Sequence, residues 1–172
     1  MNAPAGVEIV GRGTARADRV RTRGGRPSFF ADLASWLVAE AVGEAVADAR
    51  TRAGAEVKPD AVAVITVSER CTLDTIRTIA AGLPAGRLSP LRFAGASPGS
   101  VGGLPGVLFG FRGPSLTLPM APDEGLPVAV TVARSWLQDG DADFAAVAGH
   151  TVDSGVHAVR AVLLRAPGSA AG

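Results

Sequence analysis

The chain has 172 residues, 47% of them apolar, with 17 basic and 16 acidic side chains and a formal charge of +1. That composition excludes bulk disorder, and the near-zero charge gives no global pull toward nucleic acid or an anionic membrane. The single cysteine, Cys71, cannot form an internal disulfide, and no apolar run approaches the roughly 20 residues that span a bilayer.

In chain order, Val7 to Val10 reads as the first strand, and Gly11-Arg-Gly13 follows it without the third glycine of a dinucleotide fingerprint. Arg12, Arg16, Arg19, Arg21, Arg23 and Arg26 then crowd one loop. Such a run either pairs phosphate and carboxylate groups of a partner or is a solvated loop balanced by the acidic helix after it. That helix is expected from Phe29 to Ala53, capped by Pro27-Ser28, with Leu33, Trp36, Leu37, Ala41 and Val42 on one stripe and Gly54 as its stop.

Ala61 to Val67 is an uninterrupted apolar β-branched run, a second strand, followed by a helix from Thr72 to Ala81. Cys71 at that helix start, beside Arg70, is either a partly activated thiol or a small buried hydrophobe. Ser97 to Phe109 holds Gly99, Gly102, Gly103, Pro105 and Gly106, and propensity alone makes it a loop. Ser115 to Leu118 is a short strand, Pro127 to Gln138 a helix, and Phe144 to Ala148 and Ala158 to Leu164 are two further strands. Thr151 to His157 is too short for a helical crossover, so the last two strands are expected to be antiparallel neighbours. In that loop His150, Asp153, Ser154 and His157 suggest a base, an orienter and a nucleophile, but Asp, Ser and Gly also belong there for turn reasons. No further ligands for a metal can be placed beside the histidines, and no cofactor is expected.

Gly110-Phe-Arg-Gly-Pro-Ser-Leu-Thr-Leu-Pro-Met-Ala-Pro-Asp-Glu-Gly125 resembles the G-[LF]-R-G-P-[SN]-x-T-[VL]-x-x-A-C-A-S-G segment of β-ketoacyl synthases, the condensing enzymes of fatty acid and polyketide assembly. Gly110, Arg112, Gly113, Pro114, Ser115, Thr117, Ala121 and Gly125 fall on the pattern, and the family's nucleophilic cysteine falls on Pro122. Val7 to Gly13 is similar to the family's opening strand and G-x-G turn. Asp141 to His150 is similar to its R-A-D-x-x-x-A-G-G strand, and Val159 to Leu164 to the strand beside it.

The resemblance implies an α/β chain forming one half of a thiolase-like fold, with a five-stranded mixed sheet in the order β-α-β-α-β-α-β-β and flanking helices. It implies helix for Ser97 to Phe109. Length gives one domain, over 6–165, between Gly-, Ala- and Pro-rich tails at 1–5 and 166–172 that are expected to be flexible, and the lone cysteine with no signal-like pattern in Met1 to Gly13 fits a cytoplasmic setting. With Pro122 in place of the thiol, and with no position for the histidines and lysine of the family's second half, no condensing activity is expected. The implied role is a non-catalytic partner, gate or scaffold for acyl-carrier-bound intermediates, similar to a chain-length factor. Its expected partners are itself or a ketosynthase in a dimer, and an acyl carrier protein met by Arg19, Arg21 and Arg23. Two alternatives stand beside it: a repurposed enzyme on an acyl thioester or related substrate using Asp123, Glu124, His150 or Asp153, and a structural homo-oligomer. Asp123 and Glu124 are also carboxylates at a helix start, a favourable placement with no function attached. The helices Phe29 to Ala53 and Pro127 to Gln138 carry more apolar surface than one five-stranded sheet is expected to cover.

Overall fold

A computed structural model describes residues 6–18, 31–87 and 89–168. Its elements run β1 (Glu8–Arg16), α1 (Leu33–Arg52), β2 (Val62–Ser68), α2 (Leu73–Gly82), α3 (Pro90–Ala94), α4 (Ser100–Phe109), β3 (Ser115–Leu118), α5 (Pro122–Asp139), β4 (Phe144–Asp153) and β5 (Val156–Arg165). The strands form one mixed sheet in the order β1-β5-β4-β2-β3. β2 is parallel to β3 and β4, while β5 is antiparallel to β1 and β4. β2 is buried at every residue, which is why it reads as a continuous apolar run and not as an alternation.

Each face of the sheet has its own core. On one, α1 and α4 cover Val10, Val62, Phe144, Ala146, Ala148, Val159 and Leu163. On the other, α5 packs Ala129, Ala133 and Leu137 on Ala63, Ile65, Val67, Ala145 and Val147. The sequence pattern places the strands well, with extensions. β1 runs on through Gly11 and Gly13, which lie inside the strand and not in a turn after it. A methyl group at Gly11 or Gly13 would collide with the carbonyl oxygen of Ala45 or Ala41, so these glycines let α1 lie flat on β1. The alanine-rich face of the helix is the matching surface. Leu37, Ala41, Val42, Ala45 and Ala49 are all sealed, so most of the stripe is covered, while Leu33 at the start of α1 and Val128 on α5 stay exposed. The reason is α4, which closes the helix from outside, with Phe109 seated against Gly43.

Helix boundaries moved more. α1 is capped by Asp32, whose Oδ1 accepts the Ala34 N–H at 2.9 Å, and not by Pro27-Ser28, which lie outside the described residues. α5 begins at Pro122, five residues before the expected start. Proline is well placed in a first turn because its missing N–H has no intrahelical partner there; Pro127 is therefore inside the helix. Ser100–Phe109 is helical, with Gly110 ending it at φ 73°. Tertiary packing overrides propensity at this segment: Val101 and Gly102 are buried, and Gly102 sits against the hydroxyls of Thr66 and Thr117, where a larger residue would crowd. The hairpin joining β4 and β5 is tighter than Thr151 to His157. The strands pair out to Asp153 and Val156, and only Ser154 (φ 49°) and Gly155 (φ 81°) turn, both in the left-handed region that a two-residue hairpin requires. The tails 1–5 and 169–172 lie outside the described residues, as do Arg19, Arg21 and Arg23.

Candidate functional site

Two places carry chemistry-bearing residues, and they lie on opposite faces of the sheet. The first is the turn from β3 into α5. Gly113 donates its N–H to the Val62 carbonyl at 3.2 Å, and Val64 donates to the Pro114 carbonyl at 2.9 Å, which locks the Gly-Pro pair beside β2. A Cβ on Gly113 would meet the Val62 backbone at 2.6 Å, and one on Gly125 would strike Val67 Cγ1. These glycines are therefore explained by close backbone approach. Ala121 is the N-cap, and its carbonyl accepts the N–H groups of Glu124 and Gly125. Asp123 and Glu124 are exposed in the first turn, where their charge complements the helix dipole. The turn offers two carboxylates but no thiol, hydroxyl or imidazole at Pro122.

The second place is at the carboxyl ends of β2 and β4, on the α1/α4 face. Register pairs Ser68 with His150, and strand parity puts both on the face of Val62 and Ala148. His157 on β5 shares that face, so the antiparallel pairing of β4 and β5 stacks the two imidazoles, with ring centroids 5.2 Å apart and planes inclined by 29°. A continuous hydrogen-bonded chain results. Ser68 Oγ lies 2.7 Å from His150 Nδ1, His150 Nε2 lies 3.1 Å from His157 Nδ1, and His157 Nε2 lies 3.2 Å from Asp74 Oδ2 on α2. Asp74 is also held by Arg70 at 3.1 Å and Arg77 at 3.6 Å.

A carboxylate can only accept, so with one proton on each ring the chain has a single self-consistent direction. His157 donates from Nε2 to Asp74, His150 donates from Nε2 to His157, and the Ser68 hydroxyl donates to His150 Nδ1. Ser68 Oγ in turn accepts the Cys71 N–H at 2.8 Å, and Cys71 Sγ donates to the Ser68 carbonyl at 2.9 Å. Ser68 and His150 are sealed from solvent, His157 is nearly so, and Asp74 is 42% exposed at the outer end. Burial, reinforced by the neighbouring His157, lowers the His150 pKa to about 4, so this ring is neutral near pH 7. Burial also raises the Cys71 thiol, against the idea of an activated thiolate at a helix start. Cys71 belongs to the apolar core.

The structure thus brings together His150 and His157 and leaves Asp153 out: Asp153 is exposed at the hairpin tip, bonded to Ser154 Oγ at 3.2 Å. The partners it supplies instead, Ser68 and Asp74, were not singled out from the sequence. The available signal was strand parity, since Ser68 follows Val62, Val64 and Thr66 on one face, but the register against β4 had to be known first. Among the described residues no group of three or more His, Cys, Asp or Glu is arranged to hold a metal ion. An open depression of about 430 Å³ lies between α2 and α3, lined by Thr78, Gly82, Arg87 and Arg92 among others and by none of the four chain residues. No described helix is long and apolar enough to cross a membrane.

No family model matches the sequence, and a search of curated proteins finds no match. Solved structures do match. The chain is similar to the ishigamide ketosynthase/chain length factor at a TM-score of 0.68 and 14% identity, over 96% of this chain and 63% of that one. It is similar to a β-ketoacyl synthase from Burkholderia phymatum at 0.69 and 12% identity, over 94% and 59%. A third match is a ketosynthase in complex with its chain length factor from Xenorhabdus doucetiae, at 0.65 and 13% identity, over 96% and 81%. At these identities the likeness is one of fold: the chain adopts one half of the thiolase-like ketosynthase fold, as its motif implied. It spans less than two thirds of the length of the first two.

Proposed function

We propose that this chain is a non-catalytic, ketosynthase-like partner in the assembly of carrier-bound acyl chains. The observation that carries the reading is Pro122 as the first residue of α5, on a ketosynthase fold, at the position the motif reserves for the condensing cysteine. A helix N-terminus activates a thiol through aligned amides and the dipole. Here the residue has no nucleophile and no amide hydrogen, and the carboxylates of Asp123 and Glu124 beside it disfavour a neighbouring thiolate or enolate. Cys71 does not substitute for it, because it is buried on the other face of the sheet with a raised pKa.

A role in association is supported by the two sheet edges. On β1, alternate N–H groups point away from β5, and two of them are occupied: Arg12 donates to Asp48 Oδ2 at 3.0 Å and Thr14 to Glu44 Oε2 at 2.6 Å. Among the described residues β3 has a strand on one side only, and the helices before it expose Leu91, Phe93, Val107, Leu108 and Phe109. The edge that can accept a partner is therefore β3. Solved neighbours include a ketosynthase with its chain length factor and a type II acyl-carrier protein complex with its ketosynthase. We extend that kind of pairing to this chain. The test is incubation of the purified protein with malonyl-charged acyl carrier protein and an acyl-charged one. No decarboxylation and no chain extension are expected, and release of carbon dioxide at a rate above that of the carrier alone would overturn the reading.

A further inference from the structure

α2, like the short α3, has no buried residue. It is held to the body by polar contacts. Thr75 donates from its backbone N–H and its hydroxyl to Asp32 Oδ2 at 3.1 and 2.7 Å, and Asp74 accepts from His157 at 3.2 Å. The preceding Thr72, itself buried, donates to the Ala96 carbonyl at 2.6 Å. A segment with so little apolar burial opens at lower free energy than the sheet beneath it. The contact with the sheet passes through the histidine pair, which none of the chemistry proposed above uses.

We propose that the Ser68–His150–His157–Asp74 chain is an acid-sensitive latch that fastens α2 to the sheet, and that adding a proton to the histidine pair releases α2 and uncovers Cys71. The geometry dictates the sensitivity. With one proton on each ring, every group in the chain has a partner. A third proton, whichever ring receives it, makes His150 Nδ1 a donor toward Ser68 Oγ. Ser68 already accepts from Cys71 N, so its own O–H must then find another acceptor in a site closed to water. A buried hydroxyl left without its acceptor is costly, and the added charge is itself desolvated.

The charged groups acting on His150 come from four different places in the chain. Asp32 precedes α1, Arg70 lies in the turn after β2, Asp74 is on α2, and His157 is on β5. Asp32 and Asp74 favour the protonated ring, while Arg70 and His157 oppose it, and burial is the largest effect against it. The folded latch therefore holds His150 at a pKa of about 4, against 6.5 when the ring is free. The sign follows: a depressed histidine pKa favours the closed state above about pH 6.5, and that preference is lost as pH falls toward 4. Between about pH 7.5 and pH 5 the open population should rise roughly 20- to 30-fold.

Cys71 reports on this directly, since both its N–H and its thiol are bonded to Ser68 and it is the only cysteine. The experiment measures the rate of Cys71 modification by dithiodipyridine, divided at each pH by the rate for free cysteine. Emission from Trp36 in α1 and Trp136 in α5 is followed in parallel as a monitor of the two cores. The expected result is a rise of roughly 20- to 30-fold in the normalised rate at about pH 5, with unchanged tryptophan emission. Asp74→Ala should label fast at about pH 7.5 and show a flattened pH profile. Two results would overturn the latch: a normalised rate that does not change with pH, or acceleration that appears only together with a shift in tryptophan emission, which is global unfolding. The pH series on the unaltered chain decides the matter even if Asp74→Ala does not fold. It is independent of the condensation assay above, so either proposal can fail alone.

Discussion

Gly125 and Gly103 are both helical glycines, yet they answer to different constraints. A Cβ at Gly125 would strike Val67 on the central strand, whereas one at Gly103 would meet nothing within 4 Å. Gly125→Ala should therefore cost about 1 to 3 kcal/mol through overpacking between α5 and β2. Gly103→Ala should stabilise by about 0.5 to 1 kcal/mol, because it only narrows the unfolded ensemble and improves helix propensity. Urea unfolding of the two variants checks this, and equal effects would show that the close packing of α5 on β2 has been misread. The comparison explains what was legible at this scale. The glycines of the 110–125 motif could be read from sequence because each records a local constraint, a left-handed φ at Gly110 and close packing at Gly113 and Gly125, and Pro122 because a proline where the motif expects cysteine is visible in a one-letter code. Ser68 and Asp74 could not, because they reach His150 and His157 only through the register of β2 against β4 and the placement of α2, across separations of 82 and 83 residues.

At the scale of elements, strands were more legible than helices. β2, β4 and β5 announce themselves as apolar runs because a sheet buried on both faces needs no alternation. Helix starts were displaced because Asp32 and Pro122 compete with other plausible caps, and α4 is helical against its own composition because β3 and α1 pack on it. The capping of β1 was not legible at all: nothing in the sequence pairs Glu44 and Asp48 with β1, and only the fold brings them to the N–H groups of Thr14 and Arg12. Carboxylates on an edge are a known defence against strand addition. Replacing both by Ala removes one acceptor from each of two edge N–H groups. The double variant should lose about 1 to 2 kcal/mol and gain concentration-dependent light scattering beyond the parent's. An unchanged scattering profile would mean that the outer edge of β1 is protected by something other than these two side chains.

For the molecule as a whole, the balance of edges and apolar surface argues for association through one side. α1, which looked from sequence like surplus apolar surface, is mostly sealed by α4, and the most exposed large apolar side chains are Val107 at 81%, Phe93 at 65% and Leu91 at 55%, with Leu108 and Phe109 also exposed on α4. They lie on α3 and α4, which precede β3 in the chain, and among the described residues the outer edge of β3 carries no strand. Fully burying one such side chain is worth roughly 1.5 to 3 kcal/mol, and contiguous apolar patches on single chains usually mark interfaces. A second chain adding its own β3 would pair the two open edges. Sedimentation at micromolar concentration should therefore report at least twice the 17.3 kDa chain mass. Val107→Asp with Phe93→Asp should return the protein to a folded monomer, because both side chains are exposed and neither belongs to a core. A parent protein that sediments as a stable monomer would remove β3 as a self-association edge. If addition of a ketosynthase then also failed to raise the mass, the partner reading itself would fall.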